Sequence, residues 1–508
     1  MDKRQDLIDY LASAAEELET QARNPIPLRM NCLLFWRAAF VEIADVGFRD
    51  CWLAAVGAYA SSNIALRGTV IEGGTYGFLA VAKQGVPESA HTFEIVGNTW
   101  RQSPSTYRSS PTRCDIHNDW SCPVSIWADV PWAVVHHYFW NPLNGALFTA
   151  KDILGNVRIA DNHVIDAYNG VRVRLSKKCV EDPRCRERAN AGFEIVGNTF
   201  EKIRDNAIEP EERAGYWIIK HNTFIDNYAP ISTDSVVGHD FLVFGNIFAL
   251  DNVPGSKCLD EGWAGSRQFL LILGGGGRWS TAAAEGDDAR CATHVMGTVI
   301  KMGASEDNPD SPLLDRILFF NNSLRTRSPL FRGTPGPPIT SYNNAVEFIG
   351  CGTAGAPSCR QSLADDPSCV GEDEWTSDHQ AVFAECFPLL DRQGRRLAHV
   401  MRFNVYNRAP GPKLDAIDQD HVVAPLDFDV PAAPGGQMEA KSFAIDPGGL
   451  LAHGRCQVAY VNGGLECVGT SGTVGALLPD GSWFDLDLPF GFPFTDLLRD
   501  VNGTTLPK

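Results

Sequence analysis

The amino-acid sequence predicts an all-β protein whose main part is a right-handed parallel β-helix. The first observation is a repeated phrase with alternating apolar residues, which is strand periodicity. Its copies are EIVGNTW (94–100), RIADNHV (158–164), EIVGNTF (194–200), IIKHNTF (218–224), LVFGNIF (242–248) and LFFNNSL (318–324). The second is the period of 24 residues from Asn198 to Asn222 to Asn246, which is too short for a βαβ unit and suits one coil of a β-solenoid. The third is the asparagine in every copy, which predicts a ladder of hydrogen bonds between coils.

The repeat divides the chain into three expected parts. Residues 1–30 include an acidic segment, Asp2 to Ala22, with apolar residues on one helical face, so we expect a helical cap over the first coil. Residues 31–350 form the β-helix. Beyond Asn344 the phrase disappears and Pro/Gly-rich stretches such as APGPK and VPAAPGGQ appear. We therefore expect residues 351–508 to be a loop-rich, disulfide-bonded region that packs back onto the helix.

The composition is that of a folded, soluble protein, with 508 residues of which 44% are apolar and 21% are charged. No apolar run is long enough to span a bilayer, so membrane insertion is not expected. A formal net charge of -18 disfavours nucleic acid, because nucleic acid binds basic surfaces. The same charge disfavours polyanions unless a cation intervenes, and neutral sugars fit it better. Nothing in the sequence argues for or against a homo-oligomer.

The 14 cysteines fall into neighbouring pairs along the chain, which favours disulfides. A zinc site is disfavoured because no CxxC occurs and the histidines do not cluster near the pairs. Disulfides require an oxidising compartment, so we expect a secreted or periplasmic protein. No signal peptide precedes Cys32, and we expect a mature form or a truncated start. The expected pairs are Cys32/Cys51, Cys114/Cys122, Cys179/Cys185, Cys258/Cys291, Cys351/Cys359, Cys369/Cys386 and Cys456/Cys467.

The repeated phrases resemble those of the pectate-lyase-like right-handed β-helix superfamily over about residues 40 to 350. The resemblance implies the fold and a carbohydrate-active function. It does not select a reaction, because the superfamily includes lyases, hydrolases, epimerases, fructan-cyclising enzymes and non-catalytic phage or adhesin parts.

Three segments are predicted to stack as strands when the coils are aligned on the ladder asparagine: YNGVRVRL (168–175), DNAIEPEE (205–212) and APISTDSV (229–236). If the second segment carries one extra residue, Val171, Ile208 and Ile231 all point inward. Two outward columns then follow, of which one contains Arg172, Glu209 and Ser232 and the other contains Arg174, Glu211 and Asp234.

These columns contain the residue types that glycoside hydrolysis needs. One carboxylic acid protonates the leaving oxygen, and a second carboxylate acts as nucleophile or activates water. Crowding of carboxylates raises one pKa, so that an acid persists near neutral pH. We predict Glu211 and Asp234 as the central catalytic pair and Glu209 as the second choice, with Arg172 and Arg174 as substrate clamps or charge tuners. This reaction requires no cofactor.

Three alternatives remain open at this stage. A ladder of salt-bridged residues on an exposed sheet needs no substrate. A calcium-dependent polysaccharide lyase or uronate epimerase would hold Ca²⁺ at Glu209, Glu211 and Asp234. Its Glu-x-Glu strand resembles the calcium-binding strand of the chondroitinase B and alginate lyase family, although Lys220 does not match the spacing of that family's lysine. The third alternative is a non-catalytic glycan-binding or cell-surface protein.

Aromatic residues in the insertion before the aligned coils are candidate sugar platforms, namely Trp127, Trp132 and Trp140. Trp217, which is flanked by strand residues, is expected to be buried. His239 is left out of the site because Gly238-His239-Asp240 is only a fragment of the polygalacturonase pattern. The sequence thus predicts an extracellular carbohydrate-active enzyme that cleaves glycosidic bonds, with hydrolysis preferred to elimination.

Overall fold

The structure of the protein is a computed structural model. It describes residues 31–49, 51, 54–74, 76–102, 145–165, 167–203, 205–234, 236–250, 298–303, 314–326, 330–332, 336–348, 399–407, 417–418, 420–424, 426, 458–461, 464–467, 474, 476 and 482–486. The expected helical cap over residues 1–30 lies outside the described residues.

Three long parallel sheets contain most of the described strands. Consecutive strands enter the first, second and third sheet in turn, so that three strands form one rung and successive rungs stack. The first sheet contains β1 (Asn31–Trp36), β4 (Ala54–Tyr59), β7 (Tyr76–Val81), β10 (Ala146–Lys151), β13 (Val171–Arg174), β16 (Asn206–Pro210), β19 (Ala229–Asp234), β23 (Ile300–Gly303) and β26 (Phe331–Arg332). The all-β, parallel part of the prediction is therefore confirmed.

The second and third sheets follow the same order along the chain. The second contains β2 (Ala39–Ala44), β5 (Ser62–Arg67), β8 (His91–Val96), β11 (Gly155–Ala160), β14 (Ala191–Val196), β17 (Arg213–Lys220), β21 (Phe241–Phe244), β24 (Ile317–Phe320), β27 (Ile339–Tyr342) and β29 (Val400–Arg402), with β20 (Val237–Gly238) paired to β17. The third contains β3 (Gly47–Arg49), β6 (Val70–Glu72), β9 (Thr99–Arg101), β12 (His163–Ile165), β15 (Thr199–Glu201), β18 (Thr223–Ile225), β22 (Ile247–Leu250), β25 (Ser323–Thr326), β28 (Ala345–Phe348), β30 (Val405–Tyr406) and β31 (Val422–Val423).

Apolar side chains of successive rungs meet in the core. On the first sheet Phe148 pairs with Phe78 of the preceding rung and with Val171 of the following rung, and all three side chains are completely buried. On the second sheet Phe193 stacks on Trp217 with 4.2 Å between ring centroids, so the expected burial of Trp217 is confirmed. Removing one such side chain from water contributes about 1.5–3 kcal/mol. These columns hold neighbouring rungs together.

The repeated asparagines form the expected ladder, in the turns between the second and third sheets. Each amide nitrogen donates to the side-chain oxygen of the next rung's asparagine, as from Asn198 to Asn222 at 2.9 Å and from Asn222 to Asn246 at 3.0 Å. The last amide, that of Asn404, donates to the buried carboxylate of Asp418 at 2.8 Å. The ladder consists of Asn98, Asn162, Asn198, Asn222, Asn246, Asn322, Asn344 and Asn404.

A helical hairpin interrupts the sheets between β13 and β14. It consists of α1 (Lys177–Glu181), whose N-cap residue Ser176 accepts the N–H of Cys179, and α2 (Pro183–Arg188), which begins with proline. The Cys179–Cys185 disulfide closes this hairpin, and a second disulfide joins Cys32 to Cys51. Two expected disulfides are thus confirmed, and each remaining pair includes a cysteine outside the described residues. Within the described part of the chain, no helix is both long and apolar enough to cross a membrane.

Segments beyond residue 400 continue the sheets and pack on them. The strands β29, β30 and β31 extend the second and third sheets, while β32 (Val458–Val461) and β33 (Gly464–Cys467) form an antiparallel pair. Leu486 packs against outward-facing Phe244 and Phe320 of the second sheet. The Nζ atom of Lys220 lies 3.0 Å from Oδ1 of Asp485. Residues 484–486 therefore contact the second sheet, whereas the packing of the whole C-terminal region and its boundary at residue 350 stay predictions.

Candidate functional site

The outer face of the first sheet carries the predicted polar columns on β13, β16 and β19. Val171 pairs with Ile208, and Ile208 pairs with Ile231; all three side chains are completely buried. Arg172 is the register partner of Glu209. The register inferred from the sequence is therefore found, and it brings the guanidinium of Arg172 and the carboxyl group of Glu209 together.

Strand β16 ends at Pro210, and the N–H of the next residue, Glu211, makes one more hydrogen bond to β13, at the carbonyl of Val173. Pro210 itself has no N–H to donate to the strand ladder. The N–H of Arg213 donates to the carbonyl oxygen of Glu211 at 2.7 Å, with Glu212 between them at φ 62. A hydrogen bond between residues two apart defines a γ-turn. Glu212 shares this left-handed conformation with other non-glycine turn residues of the described sheets, such as Asp152 and Lys202.

Arg172 connects the carboxyl groups of Glu209 and Glu211. Its Nε atom lies 2.8 Å from Oε1 of Glu211 and 3.4 Å from Oε2 of Glu209. The side chains of Arg172 and Glu209 are each 13% exposed, and that of Glu211 is 24% exposed. Charges interact more strongly at such a site than on an open surface, because less water screens them. No described residue forms a hydrogen bond with Oε2 of Glu211, the second oxygen of that carboxylate.

The carboxyl group of Glu209 also accepts one amide N–H at each oxygen. Nδ2 of Asn169 lies 2.8 Å from Oε2, and Nδ2 of Asn206 lies 2.7 Å from Oε1. Both asparagines are completely buried. Neither was singled out from the sequence, although each lies in an aligned segment: Asn169 lies two residues before β13, and Asn206 is the first residue of β16.

Burial and two neighbouring carboxylates keep a proton on Glu209. Burial, Glu211 and Asp205 raise the pKa of Glu209 to about 8, while Arg172 and Lys301 act in the opposite direction. Burial also lowers the pKa of Arg172, but the charges of Glu211 and Glu209 outweigh it and raise that pKa overall. At neutral pH the site therefore holds a protonated acid beside a charged guanidinium.

Glu212, in the γ-turn, is a further carboxyl group that the sequence reasoning missed. Its Oε2 atom accepts the backbone N–H of Leu175 at 2.8 Å. Burial raises the pKa of Glu212 to about 7, and Glu211 contributes, whereas the Leu175 N–H, Arg174 and Arg172 lower it. The predicted clamp Arg174 thus acts electrostatically on Glu212. The sequence signal for Glu212 was the pair of glutamates, Glu211 and Glu212, directly after Pro210. The γ-turn that separates their side chains cannot be inferred from the sequence.

Two more groups, Tyr168 and Lys301, lie near enough to Glu209 to interact with it electrostatically. Tyr168 is buried, and its pKa is raised by burial and by the charges of Asp205 and Glu209. Lys301, on β23, is the register partner of Ser232. The 24-residue period does not reveal Lys301, because residues 251–297 separate its rung from the preceding one along the chain.

Some predicted site residues remain untested. The backbone of Asp234 ends β19 and pairs with Gly303, but its side chain lies outside the described part of the structure. The pairing of Glu211 with Asp234 therefore stays a prediction. The candidate sugar platforms Trp127, Trp132 and Trp140 also lie outside the described residues.

The contacts of Glu209 and Glu211 do not fit a calcium ion. Calcium takes six to eight oxygen ligands, whereas Arg172 lies against both carboxyl groups and amide N–H groups face both oxygens of Glu209. A dication in this place would be repelled by the guanidinium. Among the described residues, no group of three or more His, Cys, Asp or Glu side chains is arranged to hold a metal ion.

Comparisons with family models, with curated proteins and with solved structures gave no match to this chain. Membership of the pectate-lyase-like superfamily therefore stays a prediction that depends on the repeated phrases alone.

Proposed function

We propose that this protein is an extracellular glycoside hydrolase that cleaves a polysaccharide or oligosaccharide with the carboxyl groups of Glu209 and Glu211. One observation carries the proposal: Nε of Arg172 contacts both groups, at 3.4 Å and 2.8 Å respectively. Because both carboxyl groups contact one nitrogen atom, they lie close together. Hydrolysis of a glycosidic bond depends on such a pair.

Glu209 is proposed as the general acid. Its pKa of about 8 leaves the group protonated at neutral pH, as protonation of the leaving oxygen requires. The same group then has a pKa suited to accept a proton from water in a second step.

Glu211 is proposed as the nucleophile. Arg172 holds Oε1 with two hydrogen bonds, while Oε2 accepts none from any described residue and is therefore proposed to attack. Retaining glycosidases have carboxyl groups about 5–5.5 Å apart, and inverting enzymes have them about 6.5–9.5 Å apart. Two carboxyl groups in contact with one guanidinium nitrogen favour the shorter class, so we propose retention of configuration.

The proposed cycle has two steps. In the first, Glu211 forms a bond to the anomeric carbon, the bond to the leaving oxygen breaks, and Glu209 gives its proton to that oxygen. In the second, water attacks the anomeric carbon and loses a proton to Glu209, and the bond to Glu211 breaks. Both residues then return to their starting protonation states. Arg172 stabilises the Glu211 carboxylate at the start and end of the cycle.

We further propose that the three sheets close into a right-handed β-helix and that the glycan lies across the rungs of the first sheet. Connections between parallel strands are right-handed in about 98% of cases, which supports the handedness. The outer face of the first sheet carries the cluster of Arg172, Glu209 and Glu211, which supports this position for the glycan.

The proposal of secretion is supported by the disulfides Cys32–Cys51 and Cys179–Cys185. Structural disulfides persist in oxidising compartments and are rare in the cytosol. Either a secreted or a periplasmic location satisfies this requirement.

A screen of neutral and uronate polysaccharides tests the reaction class. Reducing ends and ultraviolet absorbance are read in parallel, with and without a calcium chelator. We expect new reducing ends, no new absorbance and no effect of chelation. Absorbance that disappears on chelation would instead assign a calcium-dependent lyase, because elimination leaves an unsaturated sugar. Binding of a polymer without any product would assign a glycan-binding protein.

A further inference from the structure

Two buried asparagines at the site, Asn169 and Asn206, differ from those of the ladder in what their amides contact. Ladder amides donate to one another and to backbone carbonyl groups, as Asn222 does to Asn246 at 3.0 Å and to the carbonyl of Ile195 at 2.8 Å. The amides of Asn169 and Asn206 instead donate to the two oxygens of Glu209. The two residues lie on adjacent rungs and are completely buried.

The orientation of the Asn169 amide is set by a second contact. Its Oδ1 atom accepts the backbone N–H of Asn206 at 3.1 Å, so its nitrogen must be the atom that faces Glu209. The hydrogen-bond network therefore fixes which atom of the Asn169 amide is oxygen and which is nitrogen.

The Asn206 amide makes its contact at a cost. Its Oδ1 atom is buried and has no hydrogen-bond partner among the described residues. A buried unpartnered oxygen is unfavourable and calls for an explanation in a native structure. The contact that accompanies this cost is the hydrogen bond from Nδ2 to Oε1 of Glu209, at 2.7 Å.

We propose that Asn169 and Asn206 are positioning residues, and that they hold the carboxyl group of Glu209 by both oxygens in the orientation that proton transfer to a glycan requires. This inference rests on the proposed function for its role in catalysis. The contact itself, and its effect on proton binding by Glu209, hold whether or not the protein is a hydrolase.

The chemical effect of the two amides has a definite sign. An N–H group that donates to a carboxylate stabilises the ionised form, and therefore lowers the pKa of the acid. The other groups that face Glu209 act in both directions: Glu211 and Asp205 favour the protonated form, while Arg172 and Lys301 favour the ionised form. Tyr168 also lies near Glu209. Loss of either amide donor is therefore expected to raise the pKa of Glu209 further.

The test is a direct titration of Glu209 in the variants Asn169→Ala and Asn206→Ala. Glutamate labelled with ¹³C at the carboxyl carbon is followed by NMR as pH changes, and Glu209→Gln identifies the Glu209 signal. Loss of one donor to a carboxylate is expected to raise the midpoint of the Glu209 titration by about one pH unit. The alkaline limb of kcat/KM is expected to move upward by the same amount.

Asn227→Ala provides a matched control. Asn227 is also completely buried, accepts the N–H of Ile203 at 3.0 Å and donates to the carbonyl of Phe200 at 2.9 Å, but it makes no described contact with Glu209. This variant is expected to lose stability without moving the Glu209 titration.

A further variant, Asn206→Asp, keeps the size of the side chain and is used if the alanine variants unfold. It replaces the donor by a carboxylate, and we expect it to raise the Glu209 midpoint more than Asn206→Ala does. An unchanged midpoint in folded Asn206→Ala or Asn206→Asp would overturn the inference. A shifted midpoint in a protein that cleaves no glycan would uphold the effect of the amides on Glu209 and reject the proposed function, so the two failures are distinguishable.

Discussion

The guanidinium of Arg172 donates two hydrogen bonds to one oxygen of Glu211, from Nε at 2.8 Å and from Nη2 at 2.5 Å. Replacement by Arg172→Met would remove these bonds and the contact with Glu209, and would leave the two carboxyl groups without their shared cation. Breaking a buried ion pair by removing one partner costs about 3–5 kcal/mol. We expect a loss of free energy of unfolding near that range at pH 8, measured by urea denaturation.

Arg158→Met is the control for Arg172→Met. Arg158 on the second sheet lies 3.3 Å from Glu194, but the two side chains are 46% and 36% exposed. Exposed pairs contribute about 0–1 kcal/mol, so this variant should lose little stability. Equal losses in the two variants would contradict the description of Arg172 as a partly buried partner of two carboxyl groups.

The pKa of about 8 for Glu209 predicts a change of stability with pH. The unfolded chain binds this proton with a pKa near 4.3. Between these values the folded protein holds a proton that the unfolded chain has lost, so the contribution to stability is full below about pH 4.3 and is lost as pH rises through about 8. The free energy of unfolding of the wild type should therefore fall between pH 5 and pH 9. The fall should be smaller in Glu209→Gln, which has no carboxyl group here to titrate, by roughly 2–4 kcal/mol.

Urea midpoints at pH 5 and pH 9 measure this difference. A companion Glu194→Gln series corrects for general effects of pH, because Glu194 is a partly exposed carboxylate on the second sheet. Parallel pH curves for the wild type and Glu209→Gln would show that Glu209 does not retain its proton in the folded protein.

The Cys179–Cys185 disulfide is predicted to support the site through Arg213. This arginine follows the γ-turn and donates to the carbonyl groups of Glu187 at 2.5 Å and Ala189 at 3.2 Å, at the end of the hairpin that the disulfide closes. The double variant Cys179→Ser/Cys185→Ser should lose about 2 kcal/mol, since the closed loop is short. Hydrogen exchange should rise in residues 176–190 and in the turn at 211–213, while exchange in a distant strand, β5, stays unchanged.

The asparagine ladder is predicted to matter more for stability than its small side chains suggest. Asn222→Ala would leave the backbone N–H of Asn198 without its acceptor, which now lies at 3.0 Å, while the Asn198 amide would keep its backbone carbonyl acceptors. The variant would also remove the hydrogen bonds that the Asn222 amide donates to Asn246 and to two backbone carbonyl groups. A buried donor without a partner costs about 1–3 kcal/mol. Thermal or urea unfolding should show a loss of roughly 2–4 kcal/mol for Asn222→Ala. The neighbouring variant Thr223→Ala, on the half-exposed outer face, should lose less than about 1 kcal/mol.

Sequence periodicity was sufficient to predict the strands, the asparagine ladder and the pairing of Arg172 with Glu209. Each of these follows from a repeat in which asparagines or inward-facing apolar residues occupy equivalent places in successive rungs. The extra residue assigned to the DNAIEPEE segment came from the same argument, because Ile208 had to face inward with Val171.

The side-chain contacts of the site were less predictable. The guanidinium of Arg172 extends past its register partner Glu209 to Glu211, and a flexible side chain can reach several neighbours from one backbone position. The left-handed conformation of Glu212 ends the period-2 alternation on which the second column was based. Asn169 and Asn206 could not be predicted from the outward columns, because Asn169 precedes β13 and Asn206 begins β16, outside the outward positions that Arg172 and Glu209 define.

The central claim is that Glu209 and Glu211 cleave a glycosidic bond, and the most direct test is the release of reducing ends by matched variants. Glu209→Gln, Glu211→Gln and the surface control Glu194→Gln are compared with the wild type on a polysaccharide that the wild type cleaves. We expect each of the first two variants to lose about 10³-fold in kcat, and the control to stay within about twofold. Retention of most activity by both Glu209→Gln and Glu211→Gln would contradict the assignment of the site.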